Sequence, residues 1–350
     1  MELNQLIREN ILQLKPYSSA RDEFSGVAEV YLDANENPYN HGGLNRYPDP
    51  TSLSVKQALS PIKGLPVDQI FLGNGSDEVI DVLIRVFCEP AKDNIITLPP
   101  TYGMYQVSAD TNNVAVKKVA LDENFQPDVA KILEAVDDRS KILFICTPNN
   151  PSGNNIDDAL ISQLLTLFPG IVVIDEAYND FAGKPSWTSV LHHYPRLVVL
   201  QTFSKAWGLA GIRLGVAFAS KEIVEVMNKV KAPYNVNLLT QKAALKALAK
   251  AKQTEKAVAS LLRNRQKLTE ELMKISLVEK VYPSDANFLL VKVKDPTGLY
   301  RYLIGQGIVV RNRDSVPLCK GCLRMTVGTI KEDKALVKAI QMYAASNNKE

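Results

Sequence analysis

The fold of this chain is decided by one stretch, Leu197-Val-Val-Leu-Gln-Thr-Phe-Ser-Lys-Ala-Trp-Gly-Leu-Ala-Gly-Ile-Arg-Leu-Gly-Val-Ala-Phe218. Its apolar beginning and its apolar end each predict a buried strand. The turn between them carries Lys205, at the end of the first strand. Burial removes water from such a lysine, which destabilises the ammonium and leaves a free amine for carbonyl chemistry. The alternative is an ordinary surface lysine in a strand-turn-strand unit.

An anion site is predicted beside this amine. Thr202 and Ser204 precede the lysine, and Arg213 follows it eight residues later, after two glycines that allow tight turns. A guanidinium and two hydroxyls suit an anionic oxygen group. The stretch therefore predicts a ligand that carries both an aldehyde and a phosphate.

Length and composition describe an ordinary globular protein. The chain has 350 residues, of which 46% are hydrophobic and 23% charged, and its formal net charge is +3. The length favours two domains. Without a long basic run, nucleic acid and anionic membranes are not expected as partners. No signal peptide or long apolar run is recognisable, so we expect a cytoplasmic enzyme and no membrane contact.

The four cysteines do not form a disulfide framework in a chain of this length. Cys319 and Cys322 make a single CxxC motif, with no second pair and no nearby histidine cluster. We therefore expect no metal site.

Strands alternate with helices from residue 69 to about residue 220, which predicts a parallel sheet built from βαβ units. Asp175 ends one apolar strand, and a buried carboxylate there needs a partner. A protonated ring nitrogen, a helix N-terminus or a structural arginine would serve. Tyr102 lies just beyond another strand, where its ring can lie against a flat ligand. No GxGxxG or GxxxxGK[ST] motif follows a strand, which disfavours dinucleotide and P-loop proteins.

Two further positions have both a structural and a functional interpretation. Ser76 follows a predicted strand and begins a helix, so it is either an N-cap or part of a phosphate site. Tyr47 lies in a proline-flanked loop and is either a packed loop tyrosine or a ligand contact.

The remaining segments complete a three-part organisation. Residues 1–16 predict one amphipathic helix that ends at Pro16, and a long helical region is expected from residue 238 to about residue 275. Strands are expected at 286–293, 307–311 and 323–327, in a smaller α+β lobe. There Arg311, Arg313 and Arg324 are either solvated or form an anion site. We expect an N-terminal arm (1–30) that packs on the small domain or on a partner subunit, a large domain (31–240), and a linking helix with a small C-terminal domain (241–350).

Taken together, the motifs Asn150-Pro-Ser-Gly153, Asp175-x-x-Tyr178 and Ser204-Lys205 with Arg213 resemble the fold type I pyridoxal-phosphate aminotransferases over nearly the whole chain. Six more stretches are similar to the histidinol-phosphate aminotransferases in that family: 14–17, 32–38, 45–50, 73–78, 147–151 and 322–328. Ser152 and Trp207 depart mildly from the usual pattern. The resemblance implies an α/β fold, with a mainly parallel central sheet flanked by helices and a smaller α+β domain.

The resemblance also implies roles around pyridoxal 5'-phosphate. Lys205 would bind its aldehyde covalently and then move a proton, and Asp175 would pair with the ring nitrogen. Tyr178 and Asn150 would hydrogen-bond the ring oxygen, and Tyr102 would stack on the ring. The residues implied around the phosphate are Ser76, Asp77 through its backbone, Glu78, Thr202, Ser204 and Arg213, with Tyr47 supplied by the second subunit of a homodimer.

The implied substrates are L-histidinol phosphate and the pair glutamate and 2-oxoglutarate, in a ping-pong transamination. One pocket would then bind a phosphate in one half-reaction and a carboxylate in the other, which arginine suits. The substrate-binding residues implied are Tyr17, Asn37, Tyr102, Asn150, Arg311 and Arg324. Three alternatives remain open: an aminotransferase for other amino acids, a decarboxylase of amino-acid phosphates on the same scaffold, and a non-enzymatic regulator.

Overall fold

The computed structural model describes residues 3–17, 28–40 and 42–347. Its helices are α1 (Leu3–Leu6), α2 (Glu9–Leu12), α3 (Leu53–Lys63), α4 (Ser76–Phe87), α5 (Met104–Thr111), α6 (Val129–Ala135), α7 (Asp158–Leu167), α8 (Lys221–Val230), α9 (Leu238–Leu248), α10 (Ala251–Met273), α11 (Pro296–Gly305) and α12 (Ile330–Asn347). Its strands are β1 (Ile70–Asn74), β2 (Asn94–Thr97), β3 (Ala115–Lys118), β4 (Ser140–Cys146), β5 (Ile171–Asp175), β6 (Leu197–Thr202), β7 (Leu214–Ala219), β8 (Val278–Val281), β9 (Phe288–Val293), β10 (Arg311–Asn312) and β11 (Cys322–Thr326).

A seven-stranded sheet forms the centre of the molecule, in the order β1-β7-β6-β5-β4-β2-β3. Only β7 runs antiparallel to its neighbours, while the other strands point the same way. The prediction of a mainly parallel central sheet is therefore confirmed. The carboxyl ends of β4, β5 and β6 lie side by side, so the residues that follow them meet at one edge of the sheet.

Both faces of this sheet are covered, which explains why its strands are apolar throughout rather than alternating with polar residues. In β5, Val172 and Ile174 face one core cluster, whereas Ile171 and Val173 face the other. The second cluster includes the buried face of α4. The site at the sheet edge thus rests on a core that is closed on both sides.

A smaller antiparallel sheet, in the order β10-β11-β9-β8, forms the C-terminal part. One face packs against α10, α11 and α12 through Leu323 and Met325, and the other contributes Leu290 and Cys322 to the large core. Of the strand expected at 307–311, only the last residue is in a strand, the two-residue β10 (Arg311–Asn312). The long helix expected from residue 238 is two helices, of which α9 packs Ala244 and Leu248 into the large core.

The N-terminal segment differs from the single helix that its apolar spacing predicts. It forms two short helices, α1 and α2, and buries Leu6, Ile7 and Ile11 against the large domain. The backbone amide of Arg8 donates to the carbonyl oxygen of Val86, 3.0 Å away. The described part of the arm therefore packs against the apolar face of α4. Residues 18–27 of the predicted arm lie outside the described residues.

None of the helices in the described ranges is both long and apolar enough to cross a bilayer.

Candidate active site

A cleft opens at the carboxyl edge of the central sheet, which is where open α/β sheets place their ligands. It is lined by Ser76, Asp77, Tyr102, Cys146, Asn150, Asp175, Ala177, Tyr178, Thr202, Ser204, Lys205, Ala210 and Arg213. The structure thus brings together most of the residues that the sequence singles out.

Lys205 lies three residues beyond β6, half-buried, with its Nζ 5.5 Å from the centroid of the Tyr178 ring. Burial, and then the nearby guanidinium of Arg324, lower the pKa of the Lys205 ammonium. Asp175 opposes this effect but does not cancel it. The side chain is therefore a better nucleophile near neutral pH than an ordinary lysine.

Asp175 ends β5 and is only 3% exposed. Its carboxylate accepts hydrogen bonds from the Tyr105 hydroxyl, at 2.6 Å, and from the backbone amide of Ala177, at 3.0 Å. Burial raises the pKa of the Asp175 carboxyl, and these two hydrogen bonds offset only part of that effect. A carboxylate accepts up to about four hydrogen bonds. A cationic N–H in the cleft would fit the remaining capacity.

Tyr105 is a residue of this site that the sequence analysis missed. It is completely buried, stacks on Phe144 with ring centroids 4.5 Å apart, and is edge-on to Tyr102. Tyr105 is the second residue of α5, and its position three residues after Tyr102 in the sequence was the available signal. The tyrosine positions the carboxylate from behind and does not line the cleft.

An anion cradle lies at the start of α4. Gly75 is the N-cap, no side chain caps the helix, and Ser76 is its first residue. The N-cap interpretation of Ser76 is therefore wrong. The uncapped amides favour an anion. A Cβ on Gly75 would lie 2.6 Å from Nη2 of Arg213, and one on Gly215 would overlap the peptide bond between Gly75 and Ser76.

Asp77 contributes its side chain, and not only its backbone as expected. Its carboxylate accepts hydrogen bonds from the Tyr102 hydroxyl, at 2.9 Å, and from Nη2 of Arg213, at 3.1 Å. Both partners line the cleft. Asp77 therefore orients the ring of Tyr102 and the guanidinium of Arg213 towards one space.

Glu78 does not line the cleft, contrary to its expected role at the phosphate. Its Oε2 accepts hydrogen bonds from the backbone amide of Asn74 and from Nδ2 of Asn235, the latter at 2.8 Å. Asn235 also donates to the Leu72 carbonyl, at 2.9 Å. Glu78 thus stabilises the end of β1 beside the anion cradle. The position of Glu78 in the sequence does not by itself predict these contacts.

The small sheet reaches this cleft through Arg324. Its Nη1 donates to Oδ1 of Asn150, and its guanidinium lies 5.2 Å from the centroid of the Phe288 ring. Nδ2 of Asn150 is 3.5 Å from the hydroxyl oxygen of Tyr178. Burial raises the pKa of Tyr178, so its hydroxyl stays protonated and can donate.

Besides Glu78, and besides Arg324, which contacts the lining residue Asn150, four of the expected site residues do not line this cleft in their own chain. Tyr47 is half exposed and stacks on Tyr234, with ring centroids 4.5 Å apart. Tyr17 is 73% exposed, and Asn37 accepts a hydrogen bond from the backbone amide of Tyr39. Arg311 is exposed and pairs across the small sheet with Arg324.

The two cysteines of the CxxC motif are buried and are not joined by a disulfide. Burial raises the pKa of Cys322 to about 11, so thiolate formation is disfavoured at neutral pH. Within the ranges that the structure describes, no three histidine, cysteine, aspartate or glutamate side chains are grouped to hold a metal ion.

Comparisons with known proteins agree with this geometry. Residues 19–340 match the family described as aminotransferase class I and II. The chain is 54% identical to a histidinol-phosphate aminotransferase of Bacteroides thetaiotaomicron, over 97% of this chain and 99% of the relative. The solved histidinol-phosphate aminotransferase of Clostridium acetobutylicum is 27% identical and superimposes with a TM-score of 0.80, covering 87% of this chain and 92% of that one.

A solved histidinol-phosphate aminotransferase of Sinorhizobium meliloti, in complex with pyridoxal-5'-phosphate, has the same fold. It is 22% identical with a TM-score of 0.78, over 87% of this chain and 84% of that one.

Proposed function

Because the chain belongs to the class I and II aminotransferases, and within them to the histidinol-phosphate aminotransferases, we propose that it transfers the amino group of L-histidinol phosphate to 2-oxoglutarate. The products are imidazole acetol phosphate and L-glutamate, and the reaction belongs to L-histidine biosynthesis. The observation that carries the proposal is 54% identity over 97% of the chain. The enzyme works in two half-reactions, each of which uses the same cleft.

The donor set of the cleft fits pyridoxal 5'-phosphate, the cofactor of this family. When bound, the cofactor supplies an aldehyde that takes up the amino group and a ring that accepts the electron pair of the substrate carbon. The α4 amides and Arg213 fit its phosphate, and the partly satisfied carboxylate of Asp175 fits a protonated ring nitrogen. Lys205 lines the same cleft.

Lys205 has two tasks in this proposal. Its Nζ would hold the cofactor covalently in the absence of substrate, and as a free side chain it would accept the proton of the reacting carbon and return it. Forming the covalent bond and accepting the proton both need the unprotonated amine. Burial and the guanidinium of Arg324 lower the pKa of Lys205, which supports this requirement.

The other cleft residues orient and polarise the ring. Asp175 would pair with the protonated ring nitrogen in a poorly solvated place, where an ion pair is strong. Tyr178 and Asn150, whose polar groups adjoin, would donate towards the ring oxygen. The ring of Tyr102, whose hydroxyl is held by Asp77, would lie against one face of the cofactor ring. Ser76, Thr202 and Ser204 supply hydroxyl groups to the phosphate end.

The substrate anion is bound from the small sheet. Arg324 and Arg311 bind the phosphate of histidinol phosphate in one half-reaction and the distal carboxylate of glutamate in the other. Tyr17 of the arm closes over the substrate, and Asn37 also binds it. Tyr47 belongs to the cleft of a second subunit, because its exposed ring does not line the cleft of its own chain. The enzyme is therefore a homodimer in this proposal, and it acts on small metabolites in the cytoplasm.

The visible spectrum of the purified holoenzyme tests this function. Addition of L-histidinol phosphate alone is expected to remove the absorbance of the cofactor aldehyde, and 2-oxoglutarate is expected to restore it. Much faster conversion by aromatic amino acids would contradict the substrate. Release of carbon dioxide without an oxo acid would indicate a decarboxylase instead.

Borohydride reduction followed by peptide mass mapping tests the covalent site. We expect a pyridoxyl group on Lys205 and turnover abolished in Lys205→Ala. A fully active Lys205→Ala variant would remove the lysine from the mechanism.

A further inference from the structure

Three arginines share one face of the small sheet. Arg311 in β10 lies directly opposite Arg324 in β11, and directly opposed residues of antiparallel strands point to the same side. Arg313 is two residues beyond Arg311, and its backbone amide continues the pairing by donating to the Cys322 carbonyl, at 2.9 Å. The two-residue period of an extended chain therefore places Arg313 on the same side.

This face points at the cleft. Arg324 donates to Asn150, and its strand neighbours Leu323 and Met325 are buried on the opposite side of the sheet. Tyr178, whose hydroxyl adjoins Asn150, is near enough to both Arg313 and Arg324 for their charges to lower its pKa, although burial and the sulfur of Cys146 raise it more. Arg313 is thus a charged neighbour of the reacting site.

The guanidinium of Arg313 has no anionic partner in the described ranges. Its Nε is excluded from solvent and makes no hydrogen bond to any described residue. No ion pair there joins Arg311, Arg313 or Arg324 to an acidic side chain. Burial, followed by the charges of Arg324 and Arg311, lowers the pKa of Arg313. Buried polar groups are normally satisfied, so an unsatisfied one requires an explanation.

The charge of the ligand decides which substrate needs a third arginine. A phosphate monoester carries about −1.5 to −2 charges at pH 7 and offers three acceptor oxygens, because its second pKa is about 6. A carboxylate carries a single charge and is satisfied by one bidentate guanidinium. Three adjacent guanidiniums repel one another, and a dianion relieves that repulsion more than a monoanion does.

We propose that Arg313 is a third guanidinium of the substrate anion site, and that it makes the site selective for a phosphate ester over a carboxylate. The inference rests on the proposed function and extends it: Arg313 engages histidinol phosphate and leaves glutamate to Arg311 and Arg324. It is a specificity-determining residue for one of the two half-reactions.

The test measures the two half-reactions separately in the holoenzyme carrying Arg313→Gln. Half-saturation by histidinol phosphate at pH 8 is expected to need about tenfold more substrate or more, which corresponds to the loss of one charge-assisted hydrogen bond. Half-saturation by glutamate should change less than threefold. Arg263→Gln, which alters an exposed arginine of α10, is the matched control and should change neither value.

The pH dependence gives a second readout. The ratio of wild-type to Arg313→Gln affinity for histidinol phosphate should rise between pH 5.5 and pH 8, as the ester acquires its second charge. The ionisable groups facing Arg313 are Arg311, Arg324, Tyr178 and Cys319. Arg324 stays charged in that range, burial raises the pKa of Tyr178, and burial raises the pKa of Cys319 to about 12.

Equal losses for both substrates would overturn the proposal and indicate that Arg313 only supports the small sheet. No loss for either substrate would overturn it as well. Inorganic phosphate, used as a competitor of glutamate, separates this result from a failure of the proposed function. Phosphate inhibition weakened about tenfold in Arg313→Gln supports the arginine site even if histidinol phosphate is not converted, and unchanged inhibition refutes it.

Discussion

Two buried acids stand next to each other at the end of β5, and they differ in how completely the protein satisfies them. Glu176 is 2% exposed, and its carboxylate accepts hydrogen bonds from Ser186, from the backbone amide of Trp187 at 2.7 Å and from Gln201 at 2.8 Å. Asp175 is equally buried but has two donors and opens into the cleft. Because successive side chains of a strand point to opposite faces, only one of the two reaches the ligand side.

Burial raises the pKa of both carboxyl groups. The difference therefore lies in the use of the acceptor oxygens and not in the degree of burial. An acid whose oxygens are occupied by its own chain stabilises the fold. An acid with unused capacity at a cleft is available to a ligand. Mutations of the two residues should accordingly affect different quantities.

The largest expected effect is that of Asp175→Asn on catalysis. The amide cannot neutralise a protonated ring nitrogen, so we expect kcat to fall about a thousandfold, equivalent to about 4 kcal/mol, and cofactor affinity to weaken. The cofactor-free protein should be as stable as wild type or more so, since a buried charge is removed. Steady-state kinetics and thermal unfolding measure the two quantities. Activity of Asp175→Asn above a tenth of wild type would contradict the claim that Asp175 serves the ligand whereas Glu176 serves the fold.

Glu176→Ala should produce the opposite pattern. Three donors lose their acceptor in a buried place, and we expect the free energy of unfolding to fall by about 3 kcal/mol. Cofactor affinity of the folded fraction should change less than threefold. Glu134→Ala, at an exposed position of α6, is the control and should leave stability nearly unchanged. Denaturant unfolding and cofactor titration give both values. A stable variant that lost its cofactor would place Glu176 in the site.

Tyr105→Phe sharpens the comparison by removing one of the two donors to Asp175. The carboxylate would lose a 2.6 Å hydrogen bond while the ring stays packed on Phe144. We expect cofactor affinity to weaken about fivefold to tenfold, corresponding to about 1 kcal/mol. Titration of the cofactor-free variant with pyridoxal 5'-phosphate measures the change. An unaltered affinity would show that the tyrosine does not position the carboxylate.

The smallest expected effect is on the pH dependence of stability without cofactor. The folded-state pKa of Asp175 lies above its unfolded value, so the native state binds this proton more tightly. Lowering the pH from about 7 to about 5 should therefore stabilise wild type relative to Asp175→Asn, by about 1–2 °C in the midpoint. Glu176 is present in both proteins, so its contribution to the pH dependence cancels in the difference. A difference in midpoint that is independent of pH would refute the direction of the shift.

Strand ends were the part of the site that the sequence could predict. Apolar runs that stop at Asp175 and before Lys205 place both residues at one edge of a parallel sheet, and the structure has them lining the same cleft. Alternation also separates Asp175 from Glu176, but it does not say which face holds the cleft. That choice depends on which helices cover each face, and therefore on contacts distant in sequence.

The residues that were misjudged depend on such contacts. The hydroxyl of Tyr105 reaches a carboxylate 70 residues away, and Glu78 turns towards Asn235, 157 residues away. The N-terminal segment gave a clear helical period, yet it breaks into α1 and α2 because Arg8 bonds to the end of α4. Local pattern predicts elements and their ends, but not the direction of a side chain that binds across the fold.

The close approach of Gly215 to the peptide bond between Gly75 and Ser76 has a consequence for how the enzyme fails on heating. Only a hydrogen atom of Gly215 separates β7 from the amides at the start of α4. No deformable side chain therefore lies between the central sheet and the anion cradle, and the two move as one body. Release of the phosphate and melting of the sheet are then a single event. Added ligand shifts that event as a whole, so inactivation and unfolding should share one midpoint at every cofactor concentration.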